Sequence, residues 1–188
     1  MDRQVKKVNW KNPLEETKEF ETETFLNNPT YVLNIIYIIN GNNIGIYLSK
    51  RTQKNKDMYN MWQSPGGKVE KEEPSAQAAL KETFEEIGVT ITNIQKVAYL
   101  KFYFPDKPEW NTEGNVFLVD SWEGEISESE EMLPRWFSLS NLPLKNMWHC
   151  DRFWVPEVLD KNLISGSFDL DTEGLTLKQN IKKVRSYH

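Results

Sequence analysis

The strongest constraint on the fold is one amphipathic helix that carries three glutamates along a single stripe. Residues 74–87 form the best helix candidate, with Pro74 at a tolerated first-turn position and Gly88 as the stop. At about 100° per residue, one side of this helix is apolar and is the predicted core face. That face comprises Ala76, Ala79, Leu80, Thr83, Phe84 and Ile87.

The three glutamates Glu82, Glu85 and Glu86 share a second side of the helix, because their spacings are three and four. Like charges at these spacings cost a helix about 0.2–0.5 kcal/mol per pair. A hard divalent cation would offset that cost, since Mg²⁺ prefers carboxylate oxygens. Taken alone, the stripe has a second interpretation, which is an acidic face covered only by solvent.

The residues around the stripe follow a long pattern without gaps. Gly67 is followed after five intervening residues by Glu73, and after seven more intervening residues Lys81 begins the run K-E-T-F-E-E-I-G-V. This run of 23 residues resembles the Nudix box, in which a glycine, a glutamate and an Arg-Glu…Glu-Glu…Gly signature have the same spacing. Two positions depart from the box: Lys81 stands where the family has arginine, and Thr83 where it has an aliphatic residue.

Membership of the Nudix family would imply a hydrolase that uses Mg²⁺ or Mn²⁺ to cut a phosphate chain. The resemblance implies that the metal ligands are Glu82, Glu85, Glu86 and the backbone carbonyl of Gly66. Glu86 would be the principal ligand, and either Glu85 or Glu131 would take the proton of the attacking water. At the first departure from the box, Lys81 keeps the positive charge of arginine but lacks its planar guanidinium group. Thr83 can pack its methyl group and bond its hydroxyl back to the helix.

A second resemblance covers residues 31–184 and narrows the substrate class. The stretches 128–137 and 142–148, together with Phe153 and Trp154, are similar to the oxidised purine nucleoside triphosphatase subfamily. In that subfamily a purine lies between aromatic side chains and is bound by an amide and two adjacent carboxylates. The residues that this implies for the purine pocket are Asn34, Lys50, Gln63, Phe102, Phe104, Trp148, Asp151 and Trp154.

The central position of this pocket is Trp148, which would stack on the base, a contact worth about 1–3 kcal/mol. The alternative role for Trp148 is simple core packing. Cys150 stands where the subfamily has the first carboxylate, and Gln63 where it has asparagine. A thiol is a weak donor and a weak acceptor, so half of the paired readout of an oxidised purine is lost. The residues therefore imply a purine nucleoside triphosphate, with the modification left open.

The remaining patterns predict a mixed α/β (α+β) domain over residues 31–188, with a mixed β-sheet core packed between helices. Residues 1–30 form an N-terminal extension, in which 14–26 favour a short helix. Predicted strands are 31–39, 44–48, 94–104, 115–122, 135–139, 168–171 and 176–179, and a second helix is 151–161. Residues 40–43 indicate a hairpin turn, residues 50–60 a polar loop, and Gly66 and Gly67 a turn.

Composition limits the partners. The net charge of −5 disfavours nucleic-acid binding, which needs clustered Lys and Arg. A single cysteine, Cys150, and the lack of an apolar leader or a long apolar run favour a cytoplasmic protein without a membrane partner. The expected partner is a small nucleotide, bound by a monomer or a dimer.

Three functional hypotheses follow from these residues. The first is a nucleotide-pool hydrolase that releases a nucleoside monophosphate and pyrophosphate. The second is a Nudix hydrolase with another diphosphate-linked substrate, such as a dinucleoside polyphosphate, a nucleotide sugar or an inositol pyrophosphate. The third is a catalytically weak module that senses a nucleotide or binds a partner through residues 1–30, and Lys81, Thr83 and Cys150 are the departures that support it.

Overall fold

The computed structural model describes residues 30–40, 43–51 and 61–187, with side chains described for 45–50 and 61–187. The predicted helix over residues 14–26 and nearly all of the predicted N-terminal extension lie outside these ranges. Most of the polar loop predicted over residues 50–60 lies outside them as well.

Nine strands form one sheet in the described part of the chain. Their bounds are β1 Thr30–Asn40, β2 Asn43–Arg51, β3 Trp62–Gln63, β4 Gly66–Lys68, β5 Thr90–Tyr103, β6 Thr112–Glu123, β7 Met132–Ser138, β8 Ile164–Leu170 and β9 Thr176–Lys183. The main path through the sheet is β3-β2-β1-β6-β5-β8-β9, while β4 pairs with β1 and β7 pairs with β2. Pairs β1–β6 and β5–β8 are parallel and the others are antiparallel, so the prediction of a mixed sheet is confirmed.

The predicted hairpin between the first two strands is confirmed by their register. Asn40 pairs with Asn43, which leaves a connection of two residues, as expected for the Asn-Gly signal. The Gly-Gly turn was wrong, because Gly66 and Gly67 lie in β4, where they pair with Leu33 and Val32. Because glycine has no side chain, this strand leaves room for the neighbouring carboxylate of Glu82.

Two α-helices pack on opposite faces of the sheet. The first, α1, spans Ser75–Ile87 with Pro74 as its N-cap and ends at Gly88, whose φ of 78° is a left-handed conformation suited to glycine. The second, α2, spans Asp151–Leu159. Both helices lie where the sequence predicts them, within one or two residues at their ends.

Each helix completes its own hydrophobic core. Residues of α1 pack with Val89, Ile91, Ile94, Phe117 and Val119 on one face of the sheet. On the other face, Trp154, Val155, Val158 and Leu159 of α2 pack with Ile46, Leu48, Leu100, Leu118, Ile164 and Phe168. The expected arrangement of a sheet between helices is confirmed, because strand residues alternate between these two cores.

The core face predicted for α1 is correct except at its edge. The side chain of Phe84 is 58% exposed, so its assignment to the core was wrong. The buried side of α1 is rotated away from Phe84 and towards Glu86, which is itself buried. This rotation brings a carboxylate, instead of an aromatic ring, against the sheet.

In the part of the chain that the structure describes, neither helix is long and apolar enough to cross a lipid bilayer.

Candidate active site

Glu86 is the most constrained carboxylate of the acidic stripe. Its side chain is 8% exposed, and its Oε2 atom accepts a hydrogen bond from the backbone N–H of Gly66 at 2.9 Å. A buried carboxylate is costly without such partners, and a bond to a charged acceptor is stronger than one between neutral groups. The bond therefore fixes the carboxylate of α1 against the first residue of β4.

Glu82 packs against the glycine that follows. A Cβ atom on Gly67 would collide with the carboxylate of Glu82, so the position admits only glycine while Glu82 stays in place. Partial burial raises the pKa of Glu82 above its ordinary value, and the negative charges of Glu85, Glu73 and Glu131 raise it further, against a lowering by Lys81. Lys81 thus still supplies a positive charge beside the stripe.

Glu85 and Glu131 complete the acidic cluster from two elements. Both side chains are exposed, with Glu85 on α1 and Glu131 in the loop before β7. This loop is fastened to the end of α1 by a bond from Ser127 N to Ile87 O at 3.0 Å. Because Glu131 raises the pKa of Glu82, the two carboxyl groups are within electrostatic range. The chain thus gathers the four predicted carboxylates around one end of α1.

The donor set suits a hard divalent cation. Four carboxylates whose charges oppose one another, with a glycine cradle beside one of them, match the oxygen ligands that Mg²⁺ and Mn²⁺ prefer. Within residues 30–40, 43–51 and 61–187, no group of three His, Cys, Asp or Glu side chains already converges closely enough to hold an ion. The spacing of Glu82, Glu85 and Glu86 places all three on one stripe of α1.

Thr83 occupies the core position that its family pattern gives to an aliphatic residue. It is fully buried, and its hydroxyl donates to the carbonyl oxygen of Ala79 at 2.8 Å. The bond back to the helix that the sequence predicts is therefore confirmed. It satisfies the hydroxyl, so this departure leaves no unpaired polar group under the acidic stripe.

A second constellation lies at the start of α2, on the opposite face of the sheet. Asp151 is buried, and its Oδ1 atom accepts a hydrogen bond from the indole N–H of Trp154 at 3.0 Å. The thiol of Cys150 approaches the same oxygen at 3.8 Å. Trp154 itself is 3% exposed and belongs to the core, so its polar edge orients Asp151 while its rings pack.

The two neighbours at the start of α2 have strongly perturbed protonation. Burial raises the pKa of Asp151 to about 7, although hydrogen bonds from Trp154, the backbone of Trp148 and Cys150 oppose this rise. Burial also raises the pKa of the Cys150 thiol, and the charge of Asp151 adds to that rise. Near neutral pH the site therefore holds one carboxyl group that can exist with or without its proton, beside a neutral thiol.

Trp148 lies immediately before this constellation and is half-buried. Its indole packs on Gly174, where a Cβ atom would come within 2.8 Å of the Cε3 atom of the ring. Gly174 is buried and has a φ of 83°, so both space and backbone conformation favour glycine there. The backbone carbonyl of Trp148 accepts a bond from Asp151 N at 3.0 Å, which ties the indole-bearing loop to α2.

The other residues predicted for the purine pocket lie in three places. Phe102 stacks on Phe168 with ring centroids 5.7 Å apart, and it packs against the α2-side core together with Phe104. Lys50 lies over the ring of Trp62 at 4.8 Å, and Gln63 pairs with Ser49. Asn34 pairs with Phe117 in the sheet, and its side chain lies outside the described residues.

Three functional features were missed by sequence reasoning. Gly67 was recognised only as part of a spacing, although its missing side chain makes the cradle for Glu82. Gly174 and His149, which contact or flank Trp148, carried no signal, because the contact depends on a turn more than 20 residues later in the chain.

Comparison with known proteins agrees with this geometry. Residues 30–158 match the family model described as NUDIX domain. The oxidized purine nucleoside triphosphate hydrolase of Danio rerio is 34% identical over 123 residues, covering 65% of this chain and 78% of that protein. The protein of the same name from Mus musculus is 32% identical over 126 residues, covering 67% and 80%.

Bacterial proteins are also similar to this chain. The 8-oxo-dGTP diphosphatase of Escherichia coli (strain K12) is 34% identical over 107 residues, covering 56% of this chain and 78% of that protein. Among solved structures, the MutT protein of Bacillus halodurans superposes with a TM-score of 0.70 at 20% identity, covering 82% of this chain and 97% of that one. At that identity the superposition establishes the fold alone.

Proposed function

Because the chain belongs to the Nudix family, we propose that it hydrolyses a purine nucleoside triphosphate to the monophosphate and pyrophosphate. The proposed substrate class includes bases with an oxidative or other modification, and the reaction removes such nucleotides from the pool. The named relatives act on oxidised purine nucleotides, which supports this substrate class.

The observation that carries the proposal is the placement of Glu86. The Glu86 carboxylate is buried and held by the Gly66 amide, and Glu82 lies in the neighbouring glycine cradle, so two carboxylates of α1 lie against β4. A protein of net charge −5 can still bind a polyphosphate where metal ions supply positive charge. We therefore assign Glu82, Glu85, Glu86 and the Gly66 carbonyl as ligands of Mg²⁺ or Mn²⁺.

The metal ligands and the proton acceptor have separate roles in the proposed reaction. Bound metal ions would supply positive charge to the phosphate oxygens and acidity to a water molecule. Glu85 or Glu131 accepts the proton of that water as its oxygen attacks phosphorus. The phosphoanhydride bond of that phosphorus breaks, which gives the nucleoside monophosphate and pyrophosphate, and the Gly66–Glu86 hydrogen bond holds the Glu86 carboxylate against β4.

The base pocket is assigned to the α2 side. Trp148 stacks on the purine, and Asp151 bonds to its edge, either as donor or as acceptor, since burial raises its pKa to about 7. Asn34, Lys50, Gln63 and Phe102 complete the pocket, and Trp154 holds the Asp151 carboxyl. Cys150 stands in place of the first carboxylate, so we expect weaker discrimination between oxidised and normal purines than a carboxylate pair gives.

One assay tests the proposal against its alternatives. The full chain is incubated with Mg²⁺ and a panel of normal, 8-oxo-, 2-oxo- and methylated purine triphosphates, dinucleoside polyphosphates, nucleotide sugars and inositol pyrophosphates. Release of pyrophosphate or phosphate is measured, and EDTA provides the metal-free control. The expected result is Mg²⁺-dependent release of pyrophosphate from one or more purine triphosphates.

The other outcomes separate the competing hypotheses. Turnover confined to dinucleoside polyphosphates, nucleotide sugars or inositol pyrophosphates would contradict the proposed substrate class. It would still support the proposed metal centre. Nucleotide binding without turnover at micromolar enzyme would favour the sensing module over a hydrolase.

A further inference from the structure

The turn between β8 and β9 reaches across to Trp148 and is built to hold it. Asp171 organises this turn, because its Oδ1 atom accepts bonds from the backbone N–H groups of Glu173 at 3.0 Å and Leu175 at 2.8 Å. The backbone of Gly174 donates to the Asp171 carbonyl at 3.0 Å, which closes the turn. Five residues thereby present the bare Cα of Gly174 to the indole.

His149 fastens the turn to the loop that carries Trp148. Its Nδ1 atom accepts a hydrogen bond from the backbone N–H of Thr176, the first residue of β9, at 3.3 Å. The ring of His149 also meets Phe153 of α2 edge to face, with centroids 5.9 Å apart. The imidazole therefore bridges β9 and α2 immediately beside the indole.

We propose that His149 and the β8–β9 turn form a clasp that fixes the plane of Trp148 for stacking on the nucleobase, which makes His149 and Gly174 positioning residues for base affinity. The inference rests on the proposed function for the role of Trp148 and deepens it. Gly174 supports one side of the indole, and the His149–Thr176 bond prevents the two loops from separating. Loss of the clasp lets the indole rotate, so base binding weakens while the acidic centre on the other face of the sheet is untouched.

The kinetic test compares three variants under the Mg²⁺ assay. His149→Ala removes the acceptor, His149→Asn keeps an acceptor at the same branch of the side chain, and Glu173→Ala changes an exposed side chain of the same turn. We expect His149→Ala to raise KM about three- to tenfold at nearly constant kcat, which corresponds to one lost hydrogen bond. His149→Asn and Glu173→Ala should stay within about twofold of wild type.

A spectroscopic test observes Trp148 directly, without turnover. The protein is labelled with 5-fluorotryptophan, and the Trp148 resonance in the ¹⁹F spectrum is assigned with a Trp148→Phe variant. His149→Ala should shift or broaden that resonance, His149→Asn should restore it, and Glu173→Ala should leave it unchanged. Gly174→Ala should displace it further if the variant folds, and the His149 series decides the outcome if it does not.

The results distinguish the clasp from the proposed activity. A Trp148 resonance and a KM that are both unchanged in His149→Ala would overturn the clasp, even if the variant melts at a lower temperature. Failure of His149→Asn to restore the resonance would refute the hydrogen bond as its cause. If wild type hydrolyses no nucleotide, the proposed function fails, while the fluorine spectra still decide whether His149 positions Trp148.

Discussion

The carboxylate of Glu86 and the backbone amide of Gly66 are joined by a hydrogen bond of 2.9 Å across 20 positions of the chain. The bond links α1 to β4, and β4 in turn pairs with β1 near the centre of the sheet. The Glu86 carboxylate of α1 is thereby held at a fixed position against the sheet. If Glu86 binds a cation as proposed, this bond orients the carboxylate before the cation binds.

The first prediction concerns that carboxylate. Glu86→Gln retains an oxygen that can accept from Gly66 N but removes the negative charge. We expect kcat/KM to fall by at least about a hundredfold, because charge stabilisation by a bound cation is lost. Pyrophosphate release across a Mg²⁺ titration measures the effect, and the circular dichroism spectrum should match wild type. Turnover that survives the substitution would refute Glu86 as a metal ligand.

A second prediction tests the glycine cradle. Gly67→Ala places a methyl group where the Glu82 carboxylate now lies, so Glu82 must move. Displacement of a catalytic ligand by about 1 Å can lower activity roughly a hundredfold, and we expect a loss of that order with a higher Mg²⁺ requirement. Gln77→Ala, an exposed change on α1, is the control and should behave as wild type. Equal activity of the two variants would show that the glycine cradle at Gly67 is not needed for activity.

The third prediction links Asp151 to stability. Its folded pKa of about 7 lies above the ordinary value of 3.8, so between these pH values the folded state keeps a proton that the unfolded state has released. The free energy of unfolding of wild type should therefore fall as pH rises through this window, since stability declines wherever the folded state binds more protons. Asp151→Asn keeps an acceptor for Trp154 and lacks the titration, so its advantage over wild type should grow from pH 4 to pH 8.

Urea unfolding followed by circular dichroism at several pH values gives this comparison. Asp160→Asn, an exposed change just after α2, controls for the general loss of one acidic group. A difference between wild type and Asp151→Asn that does not vary with pH would mean that the carboxyl is not protonated by burial.

A fourth prediction concerns the neighbouring thiol. Cys150→Asp places a second carboxylate in a position that is 2% exposed, next to Asp151. We expect the free energy of unfolding to drop by about 1–3 kcal/mol, since an additional polar group is buried. Selectivity for 8-oxo-dGTP over dGTP should rise, because adjacent carboxyls can share a proton and pair with the oxidised edge. Cys150→Ser adds polarity without charge and should leave that selectivity unchanged.

The fifth prediction separates the candidate bases. Glu131→Gln should lower kcat by about a hundredfold with KM nearly unchanged, as expected when a general base is removed. Glu130→Gln changes the adjacent exposed residue and should retain full activity. If Glu131→Gln is also fully active and Glu85→Gln lowers kcat even at saturating Mg²⁺, Glu85 takes the proton instead.

Sequence reasoning succeeded where the pattern is local. The bounds of α1, its stop at Gly88 and the bond of Thr83 to its own helix all follow from spacing and side-chain chemistry within one or two turns. The error at Phe84 arose because the rotation of a helix on a sheet depends on what it meets there. In this chain the partner is the amide of Gly66, which draws Glu86 inwards.

Relationships between distant segments were beyond such patterns. The sequence around Trp148 does not predict its contact with Gly174. That contact depends on how β8 and β9 pack past α2. The perturbed protonation of Asp151 also depends on burial, which its own neighbours in sequence do not reveal. The roles assigned to the individual site residues stay predictions until the variants are assayed.

The sheet places the two constellations in different cores, with the acidic stripe on α1 and the residues around Trp148 and Asp151 on α2. Substitutions in well-separated packing units tend to act independently. Under the proposed roles, a substitution such as Cys150→Asp at the start of α2 would change the nucleobase preference and leave the glutamates of α1 as they are.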